Sequence, residues 1–132
     1  MPSIVGTWRL VKAEAYDPDG KPLAAPYGGQ GMGRVTFSAE GRMAAVVVDG
    51  RPALPEGVRR DYSSYCGNYS FDGARLVTRV DAASDPSRIG GDQLREVSFD
   101  GGFMVLRPPP RPSAGGSGTE QRVLTWEKIS DV

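Results

Sequence analysis

Tyr65, Gly67 and Tyr69 alternate along a run of strand-forming residues, Tyr62 to Phe71. Alternate residues of an extended chain point to the same side, so two phenols would flank a glycine on one face. If that face is internal, the glycine leaves a gap where the phenols can hydrogen-bond a carbonyl or hydroxyl of a small molecule. A phenol whose proton is loosened by a nearby guanidinium can also act as a general acid. Gln93, Arg95, Val97 and Phe99 share a face of another run, polar at one end and apolar at the other. That pattern suits a strand lining a cavity, with Arg95 able to stabilise negative charge that develops on a substrate. Asp81, Asp85 and Asp92 cluster in sequence. Turn chemistry accounts for Asp85-Pro86 and offers a role for Asp92; the functional reading makes Asp81 or Asp92 a base at the pocket mouth, with Asp81 taken first. The catalytic set read here is therefore Tyr65 as acid, Asp81 as base and Arg95 as charge stabiliser.

Other residues are candidates for holding a ligand. Trp8 and Trp126 lie near opposite ends of the chain. They become neighbours if the first and last strands pair, as core packing or as the aromatic floor of a pocket. Arg122 or Lys128 is placed to cap an indole face. Met43 offers an adaptable wall, Tyr62 sits at a strand mouth, and Tyr69 continues the Tyr65 face. Arg79 and Asp81 share the face of their strand opposite to Leu76, Thr78 and Val80. An apolar interior puts Arg79 and Asp81 outside; a polar cavity at one end puts them inside, where a buried pair needs good geometry to offset desolvation. For Arg34, Arg42, Arg79 and Arg95 taken singly, a solvated face is the commoner role. Cys66 alternates with Tyr65 and reads as an inert packed thiol.

The chain excludes much else. It has 132 residues, 39% apolar and 24% charged, with 16 basic and 16 acidic side chains. This is one globular domain, residues 1–132, without the positive charge that nucleic acid or an anionic membrane would require. There is no histidine and only one cysteine, so histidine triads, histidine metal sites and thiolate-rich metal centres are out. No carboxylate cluster has metal-ligand spacing, and no cofactor or metal is expected. Gly28-Gly29-Gln30-Gly31-Met32-Gly33 precedes a strand rather than a helix, which argues against a dinucleotide site. No apolar leader or bilayer-length run is seen, and the expected location is the cytoplasm.

The elements that must position these residues are strands. Glycine and proline punctuate the sequence, and no long stretch keeps a helical period. Eight strands are expected: 6–16, 33–38, 42–48, 62–71, 75–82, 93–99, 103–107 and 122–129. Ala39-Glu40-Gly41, Asp72-Gly73-Ala74 and Asp100-Gly101-Gly102 read as tight hairpin turns. Three such hairpins imply a meander, and eight meandering strands fit an antiparallel up-and-down barrel with an internal cavity; a sandwich is the alternative. A short helical turn is expected near residues 56–61. Residues 107–119, rich in proline and then glycine, read as a mobile surface loop.

The pattern as a whole resembles a known family. Val5-Gly6-Thr7-Trp8-Arg9-Leu10-Val11, Gly41-Arg42-Met43-Ala44-Ala45, Tyr62 with Tyr65-Cys66-Gly67-Asn68-Tyr69, Gly90-Gly91-Asp92-Gln93-Leu94-Arg95 and Leu124-Thr125-Trp126-Glu127 follow in order along nearly the whole chain. They resemble the lipocalin-like domain family of small calycin-type barrels, in which the early Trp plugs the closed end. Some lipocalin-like barrels are cofactor-free cyclases, isomerases or lyases, so the resemblance implies fold more strongly than chemistry. Many relatives carry a His-His pair where this chain has Thr78-Arg79, and chemistry based on that pair is not expected here. The resulting expectation is binding of an apolar or aromatic small molecule inside the barrel, with cofactor-free acid–base catalysis as an extension. A plain carrier or sensor, or a filled interaction domain, is the alternative, and a homodimer is left open.

Overall fold

The structure is a computed structural model that describes residues 3–113 and 118–132. Nine strands follow in order: β1 (Gly6–Tyr16), β2 (Gly31–Phe37), β3 (Arg42–Asp49), β4 (Tyr62–Phe71), β5 (Arg75–Ala83), β6 (Asp92–Asp100), β7 (Phe103–Arg107), β8 (Arg111–Pro112) and β9 (Thr119–Ser130). Each of β1 to β6 pairs antiparallel with the next, β7 pairs with β9, and β9 closes onto β1. Eight strands thus form a closed antiparallel barrel, and closure removes the exposed sheet edges. The eight expected strands are all present, with bounds that differ by a few residues at most. Among the described residues no helix is long and apolar enough to cross a membrane.

Local chemistry explains the meander. At the β4–β5 turn, Asp72 Oδ1 accepts from the Ala74 and Arg75 amides at 2.9 and 2.7 Å, and Gly73 takes a φ of 102°. Those amides hold the Asp72 carboxyl below its ordinary range. The three tight hairpins all lie at one end of the barrel. The longer connections, 17–30, 50–61, 84–91 and the described part of the β7–β9 connection, 108–113 and 118, lie at the other, so one end is closed and one carries loops.

Two segments differ from expectation. No helical turn forms at 56–61; a single turn from Val58 N to Pro55 O ends there, with Gly57 at a φ of 79°. Arg60 instead donates to the carbonyls of Asp49 and Arg51, tying the segment back to β3. Within 107–119, Arg111 and Pro112 form a short ladder with Glu120 and Thr119. Residues 114–117 of that expected loop lie outside the described residues. Two short 3-10 turns also appear, Pro26–Gly29 and Pro86–Arg88, the second capped by Asp85, whose Oδ1 accepts from the Ser87 amide.

Side chains that alternate inward fill the barrel. Trp8, Leu10, Val35, Phe37, Met43, Leu76, Val97, Met104 and Trp126 are all buried, and Tyr69, Phe71 and Phe99 pack against them. Each such aliphatic or aromatic side chain contributes about 1.5–3 kcal/mol by leaving water. The closed end is aromatic: Trp8 lies 6.4 Å from Phe99, Phe71 lies 6.3 Å from Phe99, and Phe37 meets Tyr69 edge-on at 5.2 Å. Trp8 Nε1 donates to the Ile4 carbonyl at 2.9 Å, so its one polar atom is satisfied in the core. Lys128 lies 5.2 Å above the same indole. Val11 is extra at a bulge between Leu10 and Lys12, which lets Ala13 and Ala15 turn inward again.

Candidate functional site

A cavity of about 100 Å³ lies inside the barrel toward the loop-bearing end. Its apolar walls are Val35, Met43, Ala45, Val47, Leu76, Leu106, Leu124 and Trp126. These come from β2, β3, β5, β7 and β9, so the space exists only because the sheet closes on itself. The volume is below the ~300–1,000 Å³ of drug-sized sites, and a larger guest would have to extend into the mouth.

The mouth has different chemistry. Tyr27, Ser63, Tyr65, Arg88, Arg95, Pro108, Arg111 and Arg122 complete the lining. Arg88 and Arg95 each stack near the Tyr65 ring, at 5.8 and 5.9 Å from its centroid, and Arg122 lies 5.8 Å from that of Tyr27. Arg122 pairs with Glu120 at 2.8 Å, and both side chains are largely buried. Among the described residues, Arg88, Arg95 and Arg111 form no ion pair. Arg88 donates to Ser63 Oγ at 3.3 Å; Arg95 donates to the Leu94 carbonyl at 2.8 Å and to Gln93 Oε1 at 3.3 Å.

Tyr27 closes one side of this mouth. It is buried yet has a φ of 57°, a left-handed conformation that costs a non-glycine residue ~1–2 kcal/mol. Burial pushes its phenol up, while Arg122, Arg111 and Arg88 pull it down and Asp61 pushes it up. The same loop is held from outside: the Arg51 guanidinium lies where a side chain at Gly28 would go. Arg51 in turn grips the buried Asp49 carboxylate through Nη2 at 2.6 Å, and this contact holds that carboxyl below its usual range.

Among the described residues, Thr78 Oγ1 and Nε1 of Trp126, a residue that lines the cavity, are buried without a protein partner. An unsatisfied buried donor costs about 1–3 kcal/mol, so its persistence needs an explanation.

The structure separates the residues singled out from sequence. Tyr65, Arg95, Met43 and Trp126 line the cavity together. Trp8 and Tyr69 do not: both pack into the core near the closed end, and Tyr69 donates to the Ser38 carbonyl at 2.7 Å. Tyr62 is 57% exposed, on the outer side of β4. Arg79 and Asp81 are also outside, because Leu76, Thr78 and Val80 take the inward positions. Arg79 pairs with Asp92 at 2.6 Å, and Asp81 pairs with Arg42 and accepts from Cys66 Sγ at 3.5 Å. Arg42 and Arg79 hold the Asp81 and Asp92 carboxyls below their ordinary range, as stable anions on the surface. The set Tyr65, Asp81 and Arg95 is therefore split by the barrel wall, and Asp81 cannot reach a guest beside Tyr65.

Gly67 also serves another purpose than a gap between phenols. Asp81 is the extra residue of a bulge, since Cys66 faces Ala82 and Gly67 faces Val80. A Cβ on Gly67 would lie 1.9 Å from the Arg79 carbonyl oxygen, so only glycine lets the two strands meet there. The mouth residues Tyr27, Arg88 and Arg111 were not legible from strand periodicity because they sit in turns or a two-residue strand. An aromatic set among Pro26, Gly28 and Gly29 was the available signal for Tyr27.

The sequence model of the lipocalin-like domain family matches residues 5–129. No curated protein and no solved structure matches the chain. Among the described residues, no group of three or more Cys, Asp or Glu side chains is arranged to hold a metal ion.

Proposed function

The chain belongs to the lipocalin-like domain family, and on that premise we propose that it binds an apolar or aromatic small molecule through the loop-bearing end of the barrel. The family's barrel points to small-molecule binding in general. The observation that carries the reading for this chain is the lined cavity: apolar walls below, and phenols and guanidiniums at the entrance. Apolar walls reward burial of a guest, and a few polar groups at one end fix its orientation. Binding is favoured over acid–base catalysis by the same lining. Tyr65 and Arg95 are in it, but no carboxylate among the described residues joins them there, and Asp81 is outside. An isomerase, cyclase or lyase of the kind expected from sequence would need another base.

Native mass spectrometry of the purified protein tests the proposal. We expect a co-purified organic molecule, or an added apolar one, to give a discrete bound mass. Ala45→Phe, which puts a ring into the cavity, should abolish it while circular dichroism stays that of a β-barrel. An unchanged bound mass in the folded variant would place the guest elsewhere and overturn the reading.

A further inference from the structure

We propose that the barrel's guest is an organic carboxylate, its apolar body in the cavity and its carboxylate between Arg88 and Arg95 at the mouth. The inference rests on the binding reading above and assigns the chemical class of the ligand.

The first argument is charge. Four arginines border one small cavity, and among the described residues only Arg122 has a carboxylate ion-pair partner, Glu120. Arg88 comes from the turn before β6 and Arg95 from β6 itself, and both reach the same Tyr65 ring. Elsewhere four arginines have carboxylate partners, Arg9 with Glu127, Arg42 with Asp81, Arg51 with Asp49 and Arg79 with Asp92, while Arg34, Arg60 and Arg107 donate to carbonyl or hydroxyl oxygens. What sets the mouth apart is that several guanidiniums converge on one cavity. Asp61 and Asp85 also act near the mouth: Asp61 on the Tyr27 phenol, and Asp85, which accepts from Ser87 and feels the charge of Arg88 without forming an ion pair with it. Half-buried guanidiniums without an anion in the wall create a site that favours one in the guest.

The second argument is independent and concerns the deep end. Trp126 is 2% exposed, lines the cavity, and its Nε1–H has no acceptor among the described residues. Donors at the mouth and on the wall, with aliphatic side chains between, describe an amphipathic anion with a further acceptor along its body. A bare inorganic anion would leave the Leu76, Leu106 and Leu124 walls unused. A hydrocarbon would leave the arginines and the indole unused.

The test compares 3-phenylpropionate with its neutral counterpart 3-phenylpropan-1-ol, each titrated into the labelled protein at fixed ionic strength. Acetate alone is a third arm, and the readout is the Trp126 indole N–H resonance. The acid should bind about tenfold more tightly than the alcohol, as charge-assisted hydrogen bonds would give. Arg88→Gln with Arg95→Gln should bring the affinity for the acid down to that for the alcohol, with circular dichroism showing that the variant keeps the β-barrel. Equal affinity for acid and alcohol, unaffected by the double substitution, overturns the carboxylate assignment while the binding reading stands. Acetate binding as tightly as phenylpropionate overturns it too, since the apolar body would then contribute nothing. If neither aromatic compound binds, the binding reading fails and the assignment falls with it.

Discussion

Leu76→Ala is the substitution whose consequences the structure fixes most fully. Leu76 is fully buried, belongs to the core and borders the cavity. Truncation removes three carbons, and at ~0.8 kcal/mol for each the lost transfer energy is ~2.4 kcal/mol. The cavity penalty that normally adds to this is reduced, because the side chain already borders empty space and gives up fewer contacts there. The expected destabilisation is therefore about 3 kcal/mol, near the low end for buried leucines. For a chain of this size that lowers Tm by roughly 10 °C. Urea unfolding followed by tryptophan fluorescence measures it, with Trp8 and Trp126 as native reporters. The same variant enlarges the cavity and should admit bulkier guests than the parent. A loss below ~1 kcal/mol, with no change in the size of guest accepted, would mean that Leu76 does not face a closed interior.

The remaining predictions concern the wall and the surface. Gly67→Ala should destabilise by at least about 1–3 kcal/mol, the usual cost of overpacking, because the new Cβ meets the Arg79 backbone carbonyl rather than a movable side chain; a neutral result in chemical denaturation would contradict the bulge. Asp81→Asn should leave both ligand affinity and Tm nearly unchanged, since its partner Arg42 is at the surface; a large loss of affinity in the same titrations would return Asp81 to the site. Asp49→Asn should destabilise at neutral pH by depriving Arg51 of its anion. The Asp49 carboxyl is held low in the folded state, so its contribution is present above the unfolded carboxylate pKa and is lost as pH falls through the folded one. Urea midpoints of parent and variant should therefore converge in acid, and a gap constant with pH would show that the pair is not ionic.

The strands were readable because their signals are local. Asp72-Gly73 and Asp100-Gly101 mark turns by their own chemistry, and alternation along β5 and β6 assigns faces without knowledge of partners. The apolar choice for β5, with Leu76, Thr78 and Val80 inward, was available from the sequence and carries Arg79 and Asp81 outward. Gly67 could not be understood that way, because its reason lies in the neighbouring strand: a bulge at Asp81 brings the Arg79 carbonyl against it. The mouth was hidden for a similar reason. Tyr27, Arg88 and Arg111 come from separate connections, and only closure of β9 onto β1 carries those connections around one opening. Trp8 and Trp126 looked equivalent in sequence. They differ by one hydrogen bond: Trp8 donates to the Ile4 carbonyl, and Trp126 has no acceptor among the described residues.

That difference provides the most direct test of a hollow barrel with a guest inside. Nitrogen-15 spectra resolve the two indole N–H resonances, and a saturating apolar guest such as 3-phenylpropan-1-ol reports on both. Occupation of the cavity should move the Trp126 resonance strongly and leave that of Trp8, locked to the Ile4 carbonyl at the closed end, nearly in place. Movement of Trp8 alone, or of neither while binding is detected by calorimetry, would contradict an interior site.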